Sequence, residues 1–476
     1  MQEFLDKLLI FTTNARNFMW SEWMIVLLVG TGIIFTFFTK GIQVRKLGLA
    51  LKFVLKGARK NEKIEEAQGD ISPFAALMTA LAATVGNGNI AGVAAAIATG
   101  GPGAPFWMWI SGFFGMATKY AECFLGVKYR KVAEDGSMSG GPMYYCRYGL
   151  KNKTFAKILG MTFAICGAMT ALFGTGNMMQ SNSMALAFKT QFNIPTLLSS
   201  IVLTVLVGMV ILGGIKRIGA VAEKLVPGMI IIYLLGAITI LLVRFTHIDD
   251  AILLIVKSAF SLKAAGGAVI GMSIKRTISL GVSRGVLSNE AGLGSAAIAQ
   301  SAAKSPDPAY NGLIGMTGVF IDTIVVNTLT TLTIVVTGLW MKTPFGGIQI
   351  AQGGLTSTAL TTEAFNSVIP YGGIIISFAS FLFGYTTLIG WSYYGEQCLQ
   401  YIFGLRIVFP YRIIFIILLF IGGILTGEHL NIVWYTGETF NAIMAFPNLI
   451  GLLFLMFAVK RITDEYYREK KFEKVG

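Results

Sequence analysis

The residues with the most chemical content lie in one run, TVGNGN. There Gly86, Asn87, Gly88 and Asn89 interrupt an apolar stretch of membrane-spanning length, about 73–97. A glycine weakens a helix by about 1 kcal/mol, and asparagine offers the backbone competing hydrogen bonds. Irregular backbone at membrane depth persists only where it is buried in protein or lines a wet cavity. A span broken at its middle carries free N–H groups on one half-helix and free C=O groups on the other. The first attract a carboxylate, the second a cation such as sodium. The break therefore points to a midplane site for a small zwitterion and a metal cation.

Two other readings stand beside it. The letters resemble the TVGYG of potassium-channel filters, but a filter sits on a re-entrant loop behind a short pore helix, and here the motif interrupts a full-length span once. Glycines also let two helices cross closely.

Further candidates follow the break. Asn177 and Gln180 sit in FGTGNMMQSNS beside Gly174 and Gly176, as a ligand-bonding wall or as interhelical bonds. In FGYTT, the Thr386 and Thr387 hydroxyls with free carbonyls make the hard oxygen cage a desolvated sodium ion needs; the alternative is bonding to the preceding turn. Trp391 is a packing residue or a gate. Asp322, in GVFIDTIVVNT, is ionisable and sits within a span, which costs several kcal/mol unless paired or wet. It ligates a cation, carries a proton, or anchors structure. In SNEAGLGSA, Glu290 pairs with Arg284 as an inner latch, or the run is a helix cap and turn.

The elements that must position these residues are transmembrane helices. Of 476 residues, 54% are hydrophobic and 13% charged, with 56 glycines. Apolar runs of about 20 residues recur, the length a spanning helix needs. Eleven spans are expected, at about 20–39, 72–99, 104–127, 155–187, 195–214, 219–244, 258–284, 311–341, 369–403, 411–427 and 432–460. Lys and Arg concentrate in the linkers 40–71, 128–154 and 214–225 and in the tail, and are sparse in 100–103, 188–194 and 245–257. With an odd number of spans every rich linker falls on the cytoplasmic side, which places the N-terminus outside and the tail inside. The net charge of +14 is then positive-inside bias rather than a nucleic-acid surface. Four cysteines without paired spacing read as packing thiols, and the two histidines are too scattered for a metal site. The first twenty residues lack signal-peptide order.

After the first span, ten divide five and five. The expected organisation is an N-terminal span and linker (1–71), a first inverted repeat (72–244), a second (245–460) and a charged tail (461–476). In the second repeat the matching interruption is expected at Ala264 to Gly267. Paired broken segments in corresponding positions are the mark of an inverted-repeat transporter. The stretch 45–58 reads as an amphipathic surface helix, and the polar linker 343–368 as an external lid. A membrane enzyme finds little support: no HExxH occurs. A sensor that binds an amino acid without moving it would need an output domain, and the residues after Lys460 are a short charged stretch.

Taken together the motifs resemble the alanine or glycine:cation symporter family. The matching stretches are TALAATVGNGNIAGVAAAIATGGPGAPFWMW (79–109), GMATKYAE (115–122), GNMMQSNS (176–183), GVSRGVLSNEAGLGSA (281–296), FIDT (320–323), GWSYYGE (390–396) and FNAIMAFPNLIGLL (440–453). The resemblance implies an all-α, leucine-transporter-like fold with one extra N-terminal helix in the cell (inner or plasma) membrane, and sodium-driven, sometimes proton-driven, uptake of alanine or glycine. By position, Gly86 and Gly88 would offer N–H groups to the substrate carboxylate beside Asn87 and Asn89. Gln180 and Asn177 would line the pocket, and Trp391 would close it. Sodium would be held by the carbonyls of Ala82, Val85 and Phe383 and the hydroxyls of Thr386 and Thr387, with Asp322 as a candidate second cation or proton site. Asn87 departs from the threonine expected in many members, which bears on substrate preference.

Overall fold

The computed structural model describes residues 2–57, 66–260, 274–425 and 429–469. Two helices, α1 (Gln2–Met19) and α2 (Glu22–Phe38), are followed by a short α3 (Ile42–Arg45) and by α4 (Leu47–Gly57). The last is amphipathic as its pattern predicts: Ala50, Phe53 and Val54 are buried and Lys52 is exposed, with Phe53 against the Tyr310 ring at 4.8 Å.

The next helix, α5 (Pro73–Thr84), starts where Ser72 accepts the N–H of Ala75 and a proline fills the first turn. It stops at Val85. The chain resumes through a π-turn, Gly88–Gly92, into α6 (Val93–Gly100), bent by 48° from α5. α7 (Ala104–Lys128) then runs to a two-stranded hairpin, β1 (Lys131–Val132) with β2 (Met138–Ser139), and a short α8 (Pro142–Gly149). Helices α9 (Lys153–Phe173), α10 (Met178–Phe192), α11 (Thr196–Ile211), α12 (Gly214–Val243) and α13 (Ile248–Phe260) follow.

Beyond residue 273 come α14 (Ile274–Asn289), α15 (Ser295–Ser301) and α16 (Pro308–Val319), with a second π-turn, Phe320–Asn327, leading into α17 (Thr328–Val336). The last four helices are α18 (Ser357–Asn366), α19 (Gly372–Phe403), α20 (Val408–Ile424) and α21 (His429–Arg468). The linker 343–368 thus holds a helix, α18, which packs on the first π-turn: Thr361 Oγ1 donates to Ile90 O at 3.1 Å.

Seven helical stretches among the described residues are long and apolar enough to cross a membrane, and the bent pair α5–α6 makes an eighth. Exposed side chains on α11, α12 and α20 are large and apolar, including Ile201, Val205, Leu235, Leu242, Ile414 and Ile417. The interior buries many alanines and the amides Asn89, Asn177 and Asn182 beside large rings such as Trp391, Tyr145 and Tyr310, and small residues of this kind let helices approach closely.

The expected interruption at 264–267 lies outside the described residues. Among those described, the helix that follows is interrupted at 290–294. Glu290, Gly292 and Gly294 adopt left-handed φ of 55°, 93° and 81° between α14 and α15. The run SNEAGLGSA, expected as an inner latch or a helix cap and turn, thus ends α14 and carries a turn into α15.

Candidate functional site

The first break closes on itself. The Asn89 side chain turns back to accept the Gly86 N–H at 2.8 Å, and the Asn89 N–H donates to Gly86 O at 3.0 Å. The interruption is thus a turn stabilised by its own asparagine. Gly86 has to be glycine for space: a Cβ there would lie 2.8 Å from Thr387 Oγ1 and 3.8 Å from Gln180 Nε2. A Cβ on Gly88 would lie 3.5 Å from Ser288 Cα, the penultimate residue of α14. The two broken helices therefore meet at Gly88 and Ser288, with α19 and α10 closing the sides.

A buried polar cluster fills the junction. Asn89 Nδ2 lies 2.6 Å from Asp322 Oδ1, 2.9 Å from Asn327 Oδ1 and 3.1 Å from Ser288 Oγ. Its two protons cannot serve all three acceptors. Ser288 Oγ also lies 3.0 Å from Asp322 Oδ2, and Thr323 Oγ1 donates to that atom at 2.8 Å. Asn89, Asp322 and Thr323 have no exposed surface. Asn327 Nδ2 donates to Ser288 Oγ at 3.1 Å and Asn289 Nδ2 to Thr323 Oγ1 at 2.9 Å, so each oxygen of the cluster has a donor and a cation entering here would displace some of these bonds. The second π-turn puts Asp322 and Asn327 together on this face; π-turns often mark functional sites.

On the far side of Gly86, Thr387 Oγ1 donates to Phe383 O at 2.8 Å and Thr386 Oγ1 to the same carbonyl at 3.1 Å. Both hydroxyls are thus bonded to the preceding turn; Thr387 stands against the break at Gly86, whereas Thr386 Oγ1 also lies 3.5 Å from Met229 Sδ of α12. Ala82, Val85, Phe383, Thr386 and Thr387 are all buried. A Cβ on Gly390 would sit 3.0 Å from the Ala83 Cβ, so α19 lies directly on α5.

The remaining sequence candidates divide. Gln180 joins the site: its Oε1 accepts from Asn87 Nδ2 at 3.2 Å, while Asn87 Oδ1 is buried without a partner. Asn177 turns away, donating to Phe415 O of α20 at 2.9 Å, an interhelical bond. Trp391 packs on Gly176, where a Cβ would come within 2.7 Å of the tryptophan Cβ, and its indole donates to Glu290 Oε1 at 3.0 Å. The expected Arg284–Glu290 latch is not formed. Glu290 bonds Trp391 and Ser295, and Arg284 faces Glu438 at 4.0 Å.

Ser288, Asn289, Asn327 and the pair Lys119–Glu122 escaped the sequence reading. Lys119 Nζ donates to Glu290 O at 2.9 Å and lies 3.9 Å from Glu122 Oε2. Glu122 Oε1 accepts from Gly292 N, Gly294 N and Asn448 Nδ2 at 2.9, 3.0 and 2.7 Å. A cation thus caps the carbonyl end of the second break and an anion its N–H end, the polarity expected at helix termini. Two opposite charges three residues apart in GMATKYAE were the available signal. The letters GVSRG at 281–285 fit the GxSxG of hydrolases, but they lie inside α14, where Ser283 Oγ donates to Leu280 O at 3.3 Å, not on a strand-to-helix elbow.

Comparison with known proteins adds the family context. The sodium:alanine symporter family matches residues 5–475. The sodium/alanine symporter of Methanococcus maripaludis is 46% identical over 97% of each chain. An uncharacterized transporter of Haemophilus influenzae is 44% identical over 96% of this chain and 95% of its own. A protein of Bacillus subtilis described as a probable sodium/glutamine symporter is 35% identical over 96% of this chain and 90% of its own.

Proposed function

The chain belongs to the sodium:alanine symporter family, a family of multi-pass membrane transporters and not of enzymes, and from that premise we propose that it couples inward sodium movement to uptake of alanine, glycine or both by alternating access. The observation that carries this reading is the meeting of two interrupted helices at Gly88 and Ser288, over a buried cluster rich in oxygen acceptors.

The substrate carboxylate takes the N–H groups of Gly88 and Gly86, the latter exchanging its present bond to Asn89 Oδ1, beside Asn87 and Gln180. The ammonium takes carbonyls of the second break. Sodium sits between α5 and α19, on the carbonyls of Ala82, Val85 and Phe383 and the hydroxyls of Thr386 and Thr387, which then exchange their present bonds for the ion. Asp322, with Asn89, Ser288 and Asn327, holds a second cation; the runner-up reading makes Asp322 the carrier of a coupling proton. Asn177 and Trp391 then act behind the pocket rather than in it. In the full layout, eleven spans comprise one N-terminal helix and a five-plus-five inverted repeat, with the N-terminus outside the cell membrane and the tail in the cytoplasm.

Coupling follows from linkage: each ligand orders the same break, so each raises the other's affinity by one factor. The test is uptake of radiolabelled alanine into proteoliposomes. An inward sodium gradient drives accumulation, and collapsing it with an ionophore abolishes accumulation. Uptake indifferent to sodium and to proton gradients alike refutes the proposal, and uptake driven by protons alone favours the runner-up.

A further inference from the structure

Away from both breaks, one carboxylate stands between two arginines from separate elements. Glu438 lies on α21 with its side chain 10% exposed. The Arg16 guanidinium of α1 contacts Glu438 Oε2 through Nε, and Trp20 Nε1 donates to the Glu438 carbonyl at 3.0 Å. Arg16 also stacks over the Tyr435 ring at 5.1 Å. From the opposite side, Arg284 Nη1 of α14 stops 4.0 Å from Glu438 Oε1, the outer limit of an ion pair. Arg284 is one helical turn before Ser288 on the same face of α14, and Ser288 is the residue on which Gly88 packs. The N-terminal helices reach α14 a second time, through Glu22 Oε1 and Lys275 Nζ at 2.6 Å.

We propose that Glu438 anchors an external gate and that the N-terminal helix tunes it: Arg16 holds the carboxylate while the gate is open, and Arg284 takes full contact as α14 closes over the bound amino acid. This rests on the transport reading above. Beyond the first break the chain shows a partly exposed stripe of small and polar residues, Asn87, Gly88, Ala91, Gly92, Ala95 and Thr99, whereas α5 on the other side is almost wholly buried. That asymmetry marks the open side of the site, and α14 borders it, touching Gly88 through Ser288 and the end of α6 through Thr277, whose Oγ1 donates to Gly100 O at 3.2 Å. Closure draws Arg284 from 4.0 Å toward Glu438 and removes water from the pair, which strengthens it. The Arg16 charge opposes this step, because it already partly neutralises the carboxylate that Arg284 must be drawn to. Loss of Arg16 therefore favours the closed gate and loss of Arg284 the open one. If α1 were only a brace for α21, both changes would loosen the same contacts and act with the same sign.

The experiment uses the full chain carrying Ala95→Cys, labelled with a membrane-impermeant maleimide; the four native cysteines are buried. Alanine with sodium slows labelling. Arg16→Gln slows it by about threefold without alanine, the scale of a partly exposed ion pair. Arg16→Lys keeps the charge and the parent rate. Arg284→Gln leaves labelling fast and removes protection by alanine, with radiolabelled alanine binding confirming that each variant is folded. Shifts of the same sign in Arg16→Gln and Arg284→Gln, or no shift while protection persists, overturn the gate alone. Absence of alanine protection in the parent protein overturns the transport reading and the gate with it.

Discussion

Gly86→Ala is the smallest change that tests whether the break and α19 form one ion site. A Cβ at Gly86 would stand 2.8 Å from Thr387 Oγ1, well inside van der Waals contact. Gly86 has no left-handed φ, so the substitution carries no backbone strain of its own. Thr387 cannot yield without cost, because its hydroxyl is bonded to Phe383 O at 2.8 Å within a buried helix. Either the hydroxyl rotates off that carbonyl or the break moves away from α19. Overpacking of this kind costs about 1–3 kcal/mol. If the strain falls on the sodium-bound state, the sodium concentration for half-maximal alanine binding rises about 5- to 150-fold. Gly92→Ala is the matched control: it lies in the π-turn that follows the same break, and nothing lies within 4 Å of its Cβ. Its sodium response should stay within about twofold of the parent. The assay is radiolabelled alanine binding to purified protein, titrated with sodium. Equal responses from the two alanine variants would refute the idea that the contact of Gly86 with Thr387 is the ion site.

Asn89→Ala leaves the Gly86 N–H and the Asp322 carboxylate without their shared partner, so thermal unfolding in detergent should reveal a loss of about 1–3 kcal/mol, with alanine binding abolished. Lys119→Met leaves Glu122 and Glu290 without their buried cation and should cost about 3–5 kcal/mol by the same measurement, whereas Glu122→Gln keeps an acceptor for Gly292 and Gly294 and should cost less. At the charged end of α5, burial raises the Asp70 carboxyl above its ordinary 3.8, against the Met138 N–H, Lys216 and Arg130. The folded state then takes up that proton more readily than the unfolded chain. Stability gained through this group should grow as pH falls through the raised value and be complete below 3.8. Asp70→Asn should flatten that part of the unfolding-temperature profile against pH.

The first break was legible because four consecutive residues unsuited to a lipid-facing helix announce themselves at any register. The amphipathic α4 was legible for a similar reason, its lysines falling on one face. The second break was harder. Its glycines alternate with Ala291 and Leu293, and hydropathy alone placed the run after the end of a span. What identifies it is tertiary: Lys119 and Glu122 from α7 satisfy the two broken ends. Asn177 and Gln180 show the same limit. Only two residues lie between these two amides of one motif, yet one faces α20 and the other the break, because the helix restarts at Met178 after its own interruption. The partner of Arg284 could not be read from its neighbourhood in the chain, since Glu438 lies 154 residues away, on α21.

The central claim is that one break binds both ligands. It is tested most directly by measuring alanine affinity across a sodium titration at fixed pH, and sodium affinity across an alanine titration, on the same purified protein. The account predicts that each affinity rises with the other ligand, by the same factor. Alanine binding of equal strength with and without sodium would contradict it.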